Sequence, residues 1–148
     1  LWVPGSLRVF RDQHGRPPRA EEQADVMRAQ FEQEEAVLAK ARQTGCCHVF
    51  SASAPLLTAI YSDFYFADRS LFDCAHALHA RYALTLVLMP DSPRQADGMP
   101  HDSEAVRSAV HSRVQHALQV KHFPHIEVEG RDDARLQAAI LAVETLSA

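Results

Sequence analysis

The chain has 148 residues, 47% hydrophobic and 23% charged, the composition of one ordinary globular domain with a real core. Its net charge of -4 argues against the basic stripe of a general nucleic-acid binder. No apolar run reaches the roughly 18 to 20 residues of a membrane span, and three cysteines, Cys46, Cys47 and Cys74, make no disulfide framework. The expectation is a reducing, cytoplasmic setting, with neither nucleic acid nor membrane as partner.

Opening directly on the apolar "LWV", the sequence is either a fragment or a chain whose first residues already belong to a structured element. Leu1 to Val3 reads as a short strand, followed by a Pro4-Gly5 turn and a helical turn. "HGRPPR", from His14 to Arg19, is a loop, because paired prolines exclude a helix interior. From Ala20 to about Gln43 the positions Ala24, Met27, Phe31, Leu38 and Ala41 follow a helical period, with Gly45 as the stop and the remaining surface solvated. "CHVFS" reads as a buried strand, and Pro55 opens a helix to about Ala67. Ser70 and Asp73 form a capping arrangement for a further helix through about Tyr82.

"LTLVLM", Leu84 to Met89, is apolar almost throughout and is expected to be covered on both faces. A polar loop of thirteen residues with three prolines follows, Pro90 to Asp102. Asp102 or Ser103 caps the next helix, with Val106, Val110, Val114 and Leu118 on one stripe. "PHIEVE" is a further strand, and a last helix from Asp132 is expected to turn Leu136, Ile140, Val143 and Leu146 inward. Strands alternating with helices mean an α/β fold with a mainly parallel sheet.

In this order, "WVPGSLRVF", "SASAPLLTAIYSDFYFADRSLF" and "LTLVLMPDSPRQADGM" resemble three segments of AAA-type ATP-binding proteins related to bacterial nicotinamide riboside kinases, a branch of the P-loop kinases. There the first segment tends to read Glu-Tyr-x-Arg-Glu-Phe, and the second Asp-Thr-x-Pro-Leu-x-Thr with an aromatic helix after it. The third is a strand followed by a Pro-Trp-x-x-Asp-Gly-x-Arg lid. The resemblance implies a single three-layer α/β/α P-loop NTPase domain over residues 1–148, nucleoside-kinase-like, incomplete at its N-terminus, with a lid-like loop at about 90–102. It also implies ATP and Mg2+ as cofactors, and transfer of phosphate to a nucleoside-like substrate such as a pyridine ribonucleoside. Arg8, Thr58, Tyr61, Asp63 and Tyr65 would then face the substrate, and Arg94, Asp97, Gly98 and Arg135 the nucleotide.

The departures are equally specific. The family's phosphate loop, Gly-x4-Gly-Lys-Ser/Thr, belongs upstream of Trp2, and no Gly-Lys pair occurs anywhere in this chain. Its strand-end carboxylate falls on Ala52 and the glutamate of its first segment on Gly5, with Ser6 in place of the tyrosine. In the lid, tryptophan is replaced by Arg94 and the final arginine by Pro100. Backbone N–H groups, a lysine and a hydroxyl are what grip phosphate and magnesium in such loops. The expectation is therefore a truncated or degenerate nucleotide-binding protein with no catalytic residue and no metal ligand, not competent as a kinase as given. The alternative is a non-catalytic interaction domain that forms a homodimer through uncovered strands or the aromatic helix.

In this fold class the phosphate-loop strand lies between the counterparts of "CHVFS" and "LTLVLM". Its absence is expected to leave two strand edges facing an empty slot, unless further residues, a partner strand or a different closure fills it. Each implied site residue also has a plain structural reading. Arg8 suits a surface ion pair, the aromatic residues a core, Asp97-Gly98 a turn, Arg94 a solvated loop and Arg135 the neighbourhood of a helix start. Nine histidines, with Cys74 near His76 and His79, show no familiar zinc spacing.

Overall fold

A computed structural model describes residues 1–91 and 103–146. They form two compact units, Leu1–His79 and Ala80–Ala148.

In the first unit β1 (Trp2–Val3) and β2 (Phe50–Ser51) pair in parallel, Trp2 opposite Phe50 and Val3 opposite Ser51. The Leu1 nitrogen donates to the His48 carbonyl at 2.7 Å, and the Phe50 and Ala52 N–H groups donate to the Leu1 and Val3 carbonyls at 2.9 and 3.0 Å. Parallel strands need a crossover connection, here α1 (Ser6–His14) and α2 (Gln23–Thr44). Both helices stop at a glycine in the left-handed region, Gly15 at φ 68° and Gly45 at φ 67°. The loop between them is fastened by the Arg16 guanidinium, which donates to both oxygens of Glu22 at 2.7 and 2.8 Å. The expected helix from Ala20 accordingly begins as a 3-10 turn, Ala20–Glu22, and becomes α-helical at Gln23.

Pro55 opens α3 (Pro55–Phe66) as the sequence indicates, and α3 packs on α2 and on α4 (Phe72–His79). Val3, Val26, Met27, Leu56, Ala59, Ile60 and Ala75 form the core. Val3 is fully buried, whereas Trp2, one position along and so on the opposite face, is 63% exposed and its cross-strand neighbour Phe50 is 44% exposed. The reading of "CHVFS" as a buried strand is corrected at Phe50, because helices cover only the Val3 face of this sheet among the described residues.

In the second unit β3 (Thr85–Leu88) and β4 (His125–Val128) pair in parallel across α5 (Glu104–Val120), and α6 (Asp132–Glu144) packs on β4. Ser103 caps α5, its hydroxyl accepting the Val106 N–H at 3.2 Å, and Val110 and Leu118 are buried as their stripe requires. Two expectations are corrected here. Leu88 ends β3 exposed, so "LTLVLM" is not covered on both faces. On α6 it is Ala142 that is buried, while Leu136 and Ile140 are exposed, as is Leu146 just beyond the helix. Nothing among the described residues covers these larger side chains.

Among the described residues each unit has one strand pair, β1 with β2 in the first and β3 with β4 in the second. Since the Phe50 and Ala52 amides point toward β1, alternation aims those of Val49 and Ser51 at the opposite edge, where no strand pairs with them among the described residues. An orphaned buried backbone group costs roughly 1 to 3 kcal/mol. A two-residue strand keeps the number of such groups small. No helix among the described residues is long and apolar enough to cross a membrane.

Candidate functional site

In open α/β sheets ligands gather beyond the carboxyl ends of the strands. In the first unit those ends are Pro4–Ser6 after β1 and Ala52–Ala54 after β2. The two segments touch. A Cβ placed on Gly5 would stand 2.6 Å from the Ala52 carbonyl oxygen and 2.7 Å from the Ser53 hydroxyl oxygen. Ser53 holds φ 76°, a left-handed conformation costly for a non-glycine residue.

Beneath this turn lies a polar cluster supplied by α2. The Gln30 side-chain carbonyl accepts the Ser6 N–H at 2.7 Å, and its amide nitrogen donates to the Ser51 hydroxyl at 2.8 Å and to Glu34 at 3.1 Å. The Ser51 hydroxyl donates in turn to Glu34 at 2.6 Å. Gln33 donates to the Ser6 hydroxyl at 3.3 Å. Gln30 and Glu34 are buried, which corrects the expectation that the polar residues of this helix lie on a solvated face. Sequence reasoning missed this cluster. Its signal was the spacing of Gln23, Gln30, Glu34 and Ala41 along the same stripe as Met27.

These residues do not fit a magnesium-bound triphosphate. The residue beyond β2 is Ala52, the residue at the first segment's acidic position is a glycine with no room for a side chain, and the nearby carboxylate, Glu34, is already hydrogen-bonded to Ser51 and Gln30. Among the described residues no group of three or more His, Cys, Asp or Glu side chains converges on a possible metal position.

Four of the expected substrate residues share α3. Thr58 is buried, and the Tyr61 and Tyr65 rings stack with centroids 5.9 Å apart and planes inclined by 16°. Phe64 meets Tyr65 edge-on at 4.9 Å. Asp63 lies 4.0 Å from the Arg69 guanidinium. Tyr61 is half-buried and Tyr65 exposed, so part of the stack reaches solvent. Arg8 is exposed on α1, with no ion pair among the described residues. At the end of α3, Asp68 accepts the Ser70 N–H at 2.9 Å, which holds its carboxyl below the usual carboxylate range.

In the second unit Arg135 fastens the strand ends. Its Nε donates to the Gly130 carbonyl at 2.8 Å, and its Nη2 donates to the Met89 carbonyl at 2.9 Å and to Asp91. Asp91 also accepts the Gly130 N–H at 2.7 Å, a bond that lowers its pKa, with the Arg135 charge adding to the effect. Asp132, the first residue of α6, adopts φ 48° and gives no side-chain cap. Arg94, Asp97 and Gly98 lie outside the described residues.

No curated protein matches the chain, and no solved structure matches it. The sequence profile of the AAA domain does match, over residues 1–135. That span takes in both strand pairs, the turn at Ser51–Ala54 and Arg135, and this chain belongs to the AAA domain family, with the P-loop NTPase fold that membership implies.

Proposed function

We propose that residues 1–148 are the substrate-side part of a nucleotide-binding AAA domain of nucleoside-kinase type, and that by themselves they bind without transferring phosphate. Members of the family generally bind ATP with magnesium, and nucleotide binding is the reading carried over to this chain. What carries the second half is the strand end of β2, where Ala52 stands in place of a carboxylate and Gly5 leaves no volume for another. Phosphoryl transfer depends on positioning and on neutralising charge at the phosphates. A turn of small uncharged residues, Ser51 to Ala54, supplies neither a carboxylate for a divalent cation nor a lysine.

The substrate half rests on α3. The Tyr61–Tyr65 stack, part of it open to solvent, has the shape and chemistry of a platform for a flat heteroaromatic ring. A pyridine ribonucleoside is one such ligand. The test is calorimetric titration with ATP, with and without magnesium, and with a pyridine ribonucleoside, beside a phosphoryl-transfer assay. Binding heat without turnover is expected, and magnesium-dependent turnover overturns the reading.

A second reading, an interaction domain that self-associates, draws on the exposed Trp2–Phe50 pair. Absence of any nucleotide or nucleoside heat, together with concentration-dependent size, would favour it.

A further inference from the structure

In the first unit the strand end read as the place of the family's magnesium carboxylate carries Ala52, and the nearby Glu34 carboxylate is held by Ser51 and Gln30. The Ser51 hydroxyl uses its proton on Glu34 and a lone pair on the Gln30 amide. The Gln30 side-chain carbonyl is taken by the Ser6 N–H, so one amide side chain on α2 ties the chain leaving β1 to the chain leaving β2. The Ala52 N–H is spent in the ladder with Val3, and its carbonyl oxygen is turned against Gly5 by the left-handed Ser53.

We infer that the side-chain lock Ser6–Gln30–Glu34–Ser51 fixes these strand ends without a divalent cation, and that returning an acid to position 52 alone does not restore a metal site. The inference rests on reading the β2 end as the family's magnesium place. Magnesium takes near-octahedral oxygen ligation. A single new carboxylate at position 52 would find beside it a serine hydroxyl already donating to Glu34 and a glycine that admits no second acid. Sequence around the turn agrees: Ser51, Ala52, Ser53 and Ala54 are all small and uncharged.

The full chain as it stands is the test object. Its thermal midpoint should be the same in magnesium chloride and in EDTA, and free Mn2+ followed by electron paramagnetic resonance should not be depleted at submillimolar concentration by the wild type or by Ala52→Asp. Gln30→Ala should lower the midpoint by several degrees, and magnesium should not recover the loss. A magnesium-dependent rise of the wild-type midpoint, or submillimolar Mn2+ uptake by Ala52→Asp, overturns the inference, and the wild-type arm decides even if the variants fail to fold. ATP titration in EDTA separates the two readings. Absence of heat there counts against nucleotide binding, while the metal arms still decide the lock.

Discussion

The Ser51 hydroxyl donates to the Glu34 carboxylate at 2.6 Å, joining the end of a two-residue strand to the middle of a long helix. Removing either partner leaves polar atoms without their bond in a buried setting, which costs roughly 1 to 3 kcal/mol. Ser51→Ala should therefore lower the urea midpoint clearly, although it deletes one oxygen atom. In a double-mutant cycle with Glu34→Ala the two losses should be non-additive by about 0.5 kcal/mol or more, as for groups in direct contact. Additive losses would show that the pair contributes no coupling.

Gly5 and Gly15 separate two reasons for being glycine. At Gly15 a side chain would meet nothing within 4 Å, but the residue sits at φ 68°. At Gly5 the backbone is ordinary, with φ -72°, and the obstacle is the Ala52 carbonyl. Gly5→Ala should cost roughly 1 to 3 kcal/mol through overpacking, and Gly15→Ala about 1 kcal/mol through backbone conformation. Asparagine tells them apart: Gly15→Asn should recover part of the loss because asparagine tolerates the left-handed region, while Gly5→Asn should be worse than Gly5→Ala. Equal effects at both positions would refute the assignment.

Much of the local structure was legible because it is set by neighbours in sequence. Pro55 opens α3, Gly45 ends α2 and Ser103 caps α5, each through chemistry spanning a few residues. That Thr58, Tyr61, Asp63 and Tyr65 ride on one helix was legible for the same reason. The lock was not: its bonds join residues 21 and 24 positions apart, and Gln30 and Glu34 have the look of a solvated face until that pairing is known. Burial of Phe50, Leu88 and Leu136 was misjudged because apolar character predicts an inner face only where another element covers it. No element among the described residues does so.

Acid should weaken the first unit in two successive windows. His79 is buried, and burial, with His76 adding its charge, lowers its pKa from 6.5 to about 4. The unfolded chain takes up this proton first, so stability is full above pH 6.5 and falls as the pH drops toward 4. Allowing for partial solvent screening, the loss is about 2 kcal/mol. The Glu22 carboxylate, hydrogen-bonded by Arg16 and by the Arg19 N–H, is lowered from 4.5 to about 2, and its contribution is lost over that lower range. Urea midpoints at successive pH values should show the first loss in the wild type and not in His79→Leu. An unchanged slope in that variant would assign the effect elsewhere.

The chain has a single tryptophan, Trp2, and it stands exposed beside Phe50. In dilute folded protein its fluorescence should be that of a solvated indole, readily quenched by acrylamide. If two copies meet on this face, rising concentration should shift the emission to the blue and slow the quenching, in step with the sedimentation coefficient. Trp2→Ser with Phe50→Ser should abolish the size change while leaving the unfolding midpoint within about 0.5 kcal/mol, as for surface positions. Self-association that persists in the double variant would move the contact to another surface.

Arg135 offers the sharpest contrast between a structural and a ligand-binding arginine. Its planar fork reaches the Met89 and Gly130 carbonyls and the Asp91 carboxylate together, so it joins the chain leaving β3 to the chain leaving β4. A lysine keeps the charge but cannot supply donors in that geometry. For a clip of this kind Arg135→Lys should be nearly as harmful as Arg135→Ala, each costing about 1 to 2 kcal/mol. Amide exchange in β3 and β4 should accelerate in both variants. For an arginine that mainly attracts phosphate by its charge, lysine would instead preserve stability and much of any nucleotide affinity. Asp91→Asn provides the cross-check. It can still accept the Gly130 N–H but gives Arg135 a neutral partner, and its exchange rates should fall between those of the wild type and Arg135→Ala.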